Sequence, residues 1–106
     1  LYVPTDNLVV SSLPIIVKST LQEKIPVIAS EEGSVENGAL ATAGINYYKL
    51  GYDTGNMAVD VLKGAEISSM PIKISEETDI FINEETLEKL DIPAPSIEDI
   101  IYVKTK

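Results

Sequence analysis

Two short runs carry most of the polar chemistry in this sequence. The first is Thr5, Asp6 and Asn7; the second spans Ser30 to Ser34 and supplies Ser30, Glu31 and Ser34. Carboxylates and an amide oxygen accept hydrogen bonds, and hydroxyls both donate and accept. The set suits a ligand with an ammonium or several hydroxyl groups. The competing use is local, because Asp6 and Asn7 also have the side chains that cap a following helix. Alone, Asp6 reads as a cap; the two runs together read as a site. A third group is Asn46, Tyr47 and Tyr48. A tyrosine offers a flat apolar face with a polar tip, suited to stacking on a ring. Adjacent helical residues point about 100° apart, so one Tyr can face a pocket while the other packs, or both can pack.

Covalent catalysis finds little support. The chain has no Cys and no His, so neither usual nucleophile triad can form and the thiolate and imidazole sites typical of zinc are absent. There is no phosphate-cradling G-x-x-x-x-G-K-[ST] loop and no G-x-G-x-x-G. Asp6 and Glu31 remain thinkable as a carboxylate pair for glycoside hydrolysis, with nothing to fix their separation. The expectation is binding without chemistry and without a cofactor or metal.

The elements that position these residues follow from periodicity and punctuation. Leu1, Tyr2 and Val3 read as the end of a buried strand, and Pro4 stops the ladder because it has no N–H to donate. Val9, Leu13, Ile16, Val17 and Leu21 then recur at helical spacing. Pro14 interrupts that helix, either kinking it or opening a second segment capped by Ser11 or Ser12. Ile25–Ala29 is a second strand. Strand, helix and strand in so short a space make a right-handed βαβ unit with parallel strands. Both polar runs then fall at the carboxyl ends of strands, where parallel α/β sheets hold ligands.

Ser34–Gly38 reads as a helical turn closed by Gly38. Ala39–Ile45 is a third strand whose small residues call for a close neighbour. Asn46 starts a long helix through Leu62, stopped by Lys63 and Gly64. Gly51 and Gly55 within it would be offset by close approach of another backbone, or are simply tolerated. Ala65–Met70 is a linker and Pro71–Ile74 an edge strand. Glu76, Glu77 and Asp79 form a solvated turn, and Ile80–Ile82 another strand. Asn83 caps a helix over Glu84–Leu90. Ile97 to Val103 is a last turn or strand.

The chain has 106 residues with 44% hydrophobic, ordinary for one small globular domain. Eight Lys plus Arg stand against seventeen Asp plus Glu, a formal charge of -9. That balance opposes nucleic acid and anionic membrane surfaces. No apolar run approaches a membrane span. The chain opens without Met on strand-like residues, as a piece of a longer protein would.

In order, Tyr2–Asn7, Ile25–Ser30, Gly33–Thr42, Tyr47–Tyr52 and Val61–Gly64 resemble the substrate-binding proteins of ABC transporters assigned to tryptophan, tyrosine and related substrates. Ile82-Asn83 and Leu90–Pro93 extend the resemblance almost to the end. It implies an α/β fold: part of the parallel-sheet, three-layer βαβ lobe of a type I periplasmic-binding protein. Residues 1–38 would be a βαβ unit of the C-terminal lobe, 39–64 a crossing strand and helix, and 65–106 the return. A small molecule, an amino acid and in one form an aromatic one, would bind in a cleft between two lobes and pass to an ABC permease. The parent would work outside the cytoplasm, in a periplasm or as a lipoprotein. The ligand-binding residues expected on this basis are Thr5, Asp6, Asn7, Glu31, Ser34, Asn46, Tyr47 and Tyr48. Glu31 stands where the family would lead one to expect Asp, and Asn46 where Asp is common. With the first lobe missing, bare apolar surface on the crossing segment would favour a homodimer, with exchanged segments as one form of it. Other readings are the ligand-sensing domain of a transcription regulator of the same fold, a small hydrolase, and an interaction piece without ligand.

Overall fold

The computed structural model describes residues 1–74 and 77–106. Its elements, in chain order, are β1 (Tyr2–Val3), α1 (Asn7–Gln22), β2 (Ile28–Ala29), α2 (Glu32–Glu36), β3 (Ala41–Ile45), α3 (Tyr47–Leu62), a 3-10 turn at Ile67–Ser69, β4 (Thr78–Asn83), α4 (Glu84–Lys89) and β5 (Ile100–Val103). The strands form one sheet in the order β1-β2-β3-β4-β5. β1 pairs parallel to β2, β2 to β3, and β4 to β5. The α/β fold with a mostly parallel sheet is therefore present, built of strand–helix–strand steps.

The chain divides into two compact units, one of Leu1–Gly44 with Asp79–Lys106, the other Ile45–Thr78. The first unit holds the core. Ala39 packs with Val3, Leu13, Val17, Val27 and Ala29 in one cluster. Leu40 packs with Ile82, Leu87 and Leu90 in another. Consecutive residues of an extended chain point to opposite faces. The strand entering β3 thus has α1 residues on one face and α4 residues on the other, which is the three-layer arrangement. Leu13 is fully buried; burial of such a side chain stabilises by about 1.5–3 kcal/mol.

Asn83 is the polar node of this unit. It is 0% exposed. Its Nδ2 donates to Val35 O at 2.8 Å and to Thr105 Oγ1 at 3.1 Å, while its Oδ1 accepts from Thr86 N at 2.9 Å. One amide thereby ties α2, the N-terminus of α4 and the C-terminal tail. Thr86 Oγ1 donates to Gly38 O at 3.0 Å, and Lys106 N donates to Glu36 O at 3.0 Å.

Several expectations are corrected, and several left open are resolved. α1 runs unbroken through Pro14, with no second cap; Ser11 Oγ instead donates to Leu8 O within the helix. The helix tolerates the proline because its exposed face pays only the lost bond and packing holds both halves. Only Val3 of the first strand is buried; Leu1 and Tyr2 are exposed on an edge. β2 shrinks to Ile28–Ala29, because Pro26 before it has no N–H to give a ladder. Pro71–Ile74 is not a strand, and Ile72 and Ile74 are exposed, since alternation alone supplies no pairing partner. A Cβ added at Gly51 or Gly55 would meet nothing within 4 Å among the described residues, so no backbone lies against those glycines. The expected acidic turn included Glu76, which lies outside the described residues; Glu77 pairs with Lys49, and Asp79 is the second residue of β4. The last segment is a strand, β5.

Candidate functional site

β1 and β2 run parallel, so the segments after them emerge at the same sheet edge. The side chains confirm it: Thr5 Oγ1 and Ser30 Oγ are hydrogen-bonded at 2.6 Å. The two polar runs therefore join into one rim.

On the first corner Asp6 is extended and stands at the N-cap of α1, where Oδ1 accepts from Leu8 N at 2.9 Å and Val9 N at 3.1 Å. A carboxylate there meets both the unsatisfied N–H groups and the positive end of the helix dipole. No donor among the described residues engages Oδ2. Asn7 is the first helical residue and is exposed. The rim thus presents one carboxylate oxygen of fixed orientation, a free amide and a hydroxyl.

On the second corner Glu31 caps α2. Its Oε2 accepts from Gly33 N at 2.8 Å and its Oε1 accepts from the hydroxyl of Ser34. The longer side chain folds back upon its own turn, as a capping residue does. Ser34 is buried and spends its proton on Glu31, so it acts through that carboxylate. Each carboxylate oxygen retains a further lone pair for a cation. Asp6, Glu31 and Glu32 are the charged groups of the two runs; no Lys or Arg lies in residues 1–17 or 25–48.

Asn46, Tyr47 and Tyr48 belong to the second unit. Asn46 is the N-cap of α3, with Oδ1 accepting from Lys49 N at 2.9 Å. Tyr47 and Tyr48 are both exposed, Tyr48 at 85%. The prominent cavity of this unit, about 640 Å³, lies along α3 and the segment after it, with Met57, Ala58, Val61, Met70 and Ile72 on its walls. It is apolar and holds none of the expected site residues.

Sequence reading missed two residues of the first unit. Thr42 on β3 is 2% exposed, and its Oγ1 has no hydrogen-bond partner among the described residues. Two residues on, Gly44 shares its face; a Cβ there would lie 3.5 Å from Thr42 Oγ1 and 3.7 Å from Glu31 Cα. The only signal was the run of small residues in 39–44, which called for a close neighbour. That neighbour is the Glu31 corner. Among the described residues no cluster of His, Cys, Asp or Glu could hold a metal ion.

The chain as a whole is similar to known proteins. A family model described as ABC transporter substrate binding protein matches residues 1–104. A tyrosine-binding protein of Clostridioides difficile is 53% identical over 105 residues, 99% of this chain and 30% of its own length. A ligand-free, open structure of a substrate-binding protein with adhesive properties from Clostridium difficile superposes with a TM-score of 0.88 at 59% identity, covering 100% of this chain and 36% of that one. A domain from Streptococcus pneumoniae in complex with L-Trp matches with a TM-score of 0.76 at 33% identity, covering 94% of this chain and 36% of that one. The chain thus spans about a third of the length of the relatives it matches.

Proposed function

This chain belongs to the ABC transporter substrate-binding protein family, and from that premise we propose that it carries one wall of a binding site for an aromatic amino acid. The observation that supports this most is the Thr5–Ser30 hydrogen bond, which brings two carboxylate-bearing corners onto a single rim. Two runs that carry carboxylates and no Lys or Arg match a ligand ammonium. Asp6 Oδ2 and the remaining lone pairs of Glu31 take that group; Thr5 and Asn7 add hydrogen bonds, and Ser34 holds Glu31 in place. The family resemblance adds Asn46 as a polar contact and Tyr47 or Tyr48 as the aromatic cover. The names of two relatives, one tyrosine-binding and one holding L-Trp, favour these ligands.

The parent protein would capture its ligand outside the cytoplasm, deliver it to a permease and leave it chemically unchanged. In this reading residues 39–64 are a crossing segment between lobes, with 1–38 before it and 65–106 returning. The apolar stripe of α3 gives the chain a tendency to form a homodimer. The test is calorimetry on the full-length protein containing this chain, titrated with L-tyrosine and L-tryptophan. Asp6→Ala weakens binding at least tenfold if its carboxylate meets the ammonium, since hydrogen bonds to charged groups contribute about 1.5–3 kcal/mol. Unchanged affinity would remove Asp6 from the site, and absence of binding to either amino acid would reject the reading.

A further inference from the structure

We propose that Thr105 and Lys106, acting with Asn83, are positioning residues for the ligand site: from the far end of α2 they fix the direction in which Glu31 presents its carboxylate. The inference rests on the amino-acid reading above, which puts Glu31 at the ligand, and adds what holds Glu31 there. The carboxylate does not turn by itself. Its two oxygens accept from Gly33 N and from the hydroxyl of Ser34, both in the first turn of α2, so it points where α2 points. α2 has five residues, Glu32–Glu36. A helix of that length does not persist by itself in water, so its place comes from its neighbours.

Those neighbours include residues 83–106. Asn83 Nδ2 donates to Val35 O at 2.8 Å, Thr86 Oγ1 to Gly38 O at 3.0 Å and Lys106 N to Glu36 O at 3.0 Å. Each takes a carbonyl at the carboxyl end of α2 or just past it, where a helix's own ladder runs out. Thr105 Oγ1 lies 3.1 Å from the same Asn83 amide nitrogen and accepts from it. The segment after β5 thus braces the amide that braces α2. Lys106 Nζ also lies 2.7 Å from Glu36 Oε2, with the lysine side chain 73% exposed; an ion pair in that setting contributes little. The backbone bond of Lys106 is the strap. A carboxylate already aimed loses less freedom when its ligand arrives, which is how a strap so far along the chain reaches the affinity.

Asn83→Ala is a poor probe, because it strands buried groups and destabilises the fold. Thr105 and Lys106 are exposed, which makes them the better handle. Lys106→Pro removes the N–H that Glu36 O accepts. Lys106→Ala removes the charge and retains that N–H. Thr105→Val removes the hydroxyl and retains the shape.

The experiment is calorimetry with L-tyrosine on the full-length protein, with each variant made alone and together with Glu31→Ala. Lys106→Pro should weaken binding about fivefold and Thr105→Val about threefold, as expected for one neutral hydrogen bond. Lys106→Ala should stay within about twofold of the parent. On top of Glu31→Ala, Lys106→Pro should change the affinity by less than about twofold, because a strap that acts through Glu31 has nothing left to aim. Circular dichroism checks the fold of each variant; if proline at position 106 unfolds the protein, Thr105→Val carries the test by the same criteria. Parent-like affinity in Lys106→Pro, whatever its melting temperature, overturns the strap and leaves the amino-acid reading intact. Equal weakening with and without the Glu31 carboxylate overturns it too, since that is the mark of general loosening. Lys106→Ala as weak as Lys106→Pro overturns the backbone strap, because the ion pair would then be the brace. Parent-like affinity in Glu31→Ala removes Glu31 from the site and the strap with it, and a parent protein that binds neither L-tyrosine nor L-tryptophan overturns the reading on which the strap rests.

Discussion

Asp6 caps α1 with one oxygen, and in the proposed site it would serve a second end with the other. Oδ1 is committed to the backbone of α1, accepting from Leu8 N and Val9 N, and this fixes the direction in which Oδ2 points. Capping does not compete with the proposed binding role, because the cap holds the second oxygen as a rigid acceptor. The two roles separate by substitution. Asp6→Asn keeps an oxygen for the cap and should cost a few tenths of a kcal/mol in stability, whereas Asp6→Ala should cost about 1 kcal/mol. Urea unfolding of the ligand-free protein measures both. Asn83 shows a polar residue with the opposite duty, wholly buried and wholly satisfied. Asn83→Ala strands the Val35 carbonyl and the Thr86 N–H, so a loss of roughly 3 kcal/mol is expected in the same measurement. Both residues announce themselves in the sequence, because a cap is a local device that needs only the next three residues. Thr42 does not: whether a strand hydroxyl finds a partner depends on what the fold lays over it.

Elements were legible where their signals are local and illegible where they need a partner. Asn46 before α3, Asn83 before α4, and Gly64 with φ 99 after α3 all stand where the cap rules put them. Pro71–Ile74 has the alternation of a strand, yet no segment among the described residues pairs with it, and hydrogen bonds to a neighbour are what make a strand. The proline of α1 does not open a second helical segment, because tertiary packing by Leu13 and Val17 outweighs one missing helical bond. α3 is the element whose composition and setting disagree most. It carries two glycines in mid-helix and has no buried residue. No neighbour among the described residues needs the missing side chains, so alanine at positions 51 and 55 should fit. Gly51→Ala and Gly55→Ala should each stabilise the helix by about 1 kcal/mol. Circular dichroism through a thermal melt reads this directly, and a loss of stability would mean that another backbone does approach α3 in solution.

At the scale of the whole molecule the disposition of apolar surface decides behaviour. The first unit closes its own core with clusters on both faces of the sheet. The second unit does not. Along α3 and beyond it Leu62, Ile67, Ile72 and Ile74 stand open to solvent, Leu62 at 86% exposure, and the apolar cavity of about 640 Å³ opens beside Met57 and Val61. Monomeric soluble proteins rarely leave a contiguous apolar patch of more than a few hundred Å² uncovered. The net charge of -9 opposes association but does not neutralise this surface. The 106-residue chain by itself should therefore form dimers at micromolar concentration. Val61→Lys with Ile72→Lys would place cations on the apolar stripe, where burying them is costly, and should return the chain to a monomer while leaving the first unit folded. Light scattering reads the mass and circular dichroism the fold. A parent chain that scatters as a monomer would show that the stripe of α3 does not seek a second copy, and would leave its cover to the two thirds of length by which the relatives exceed this chain.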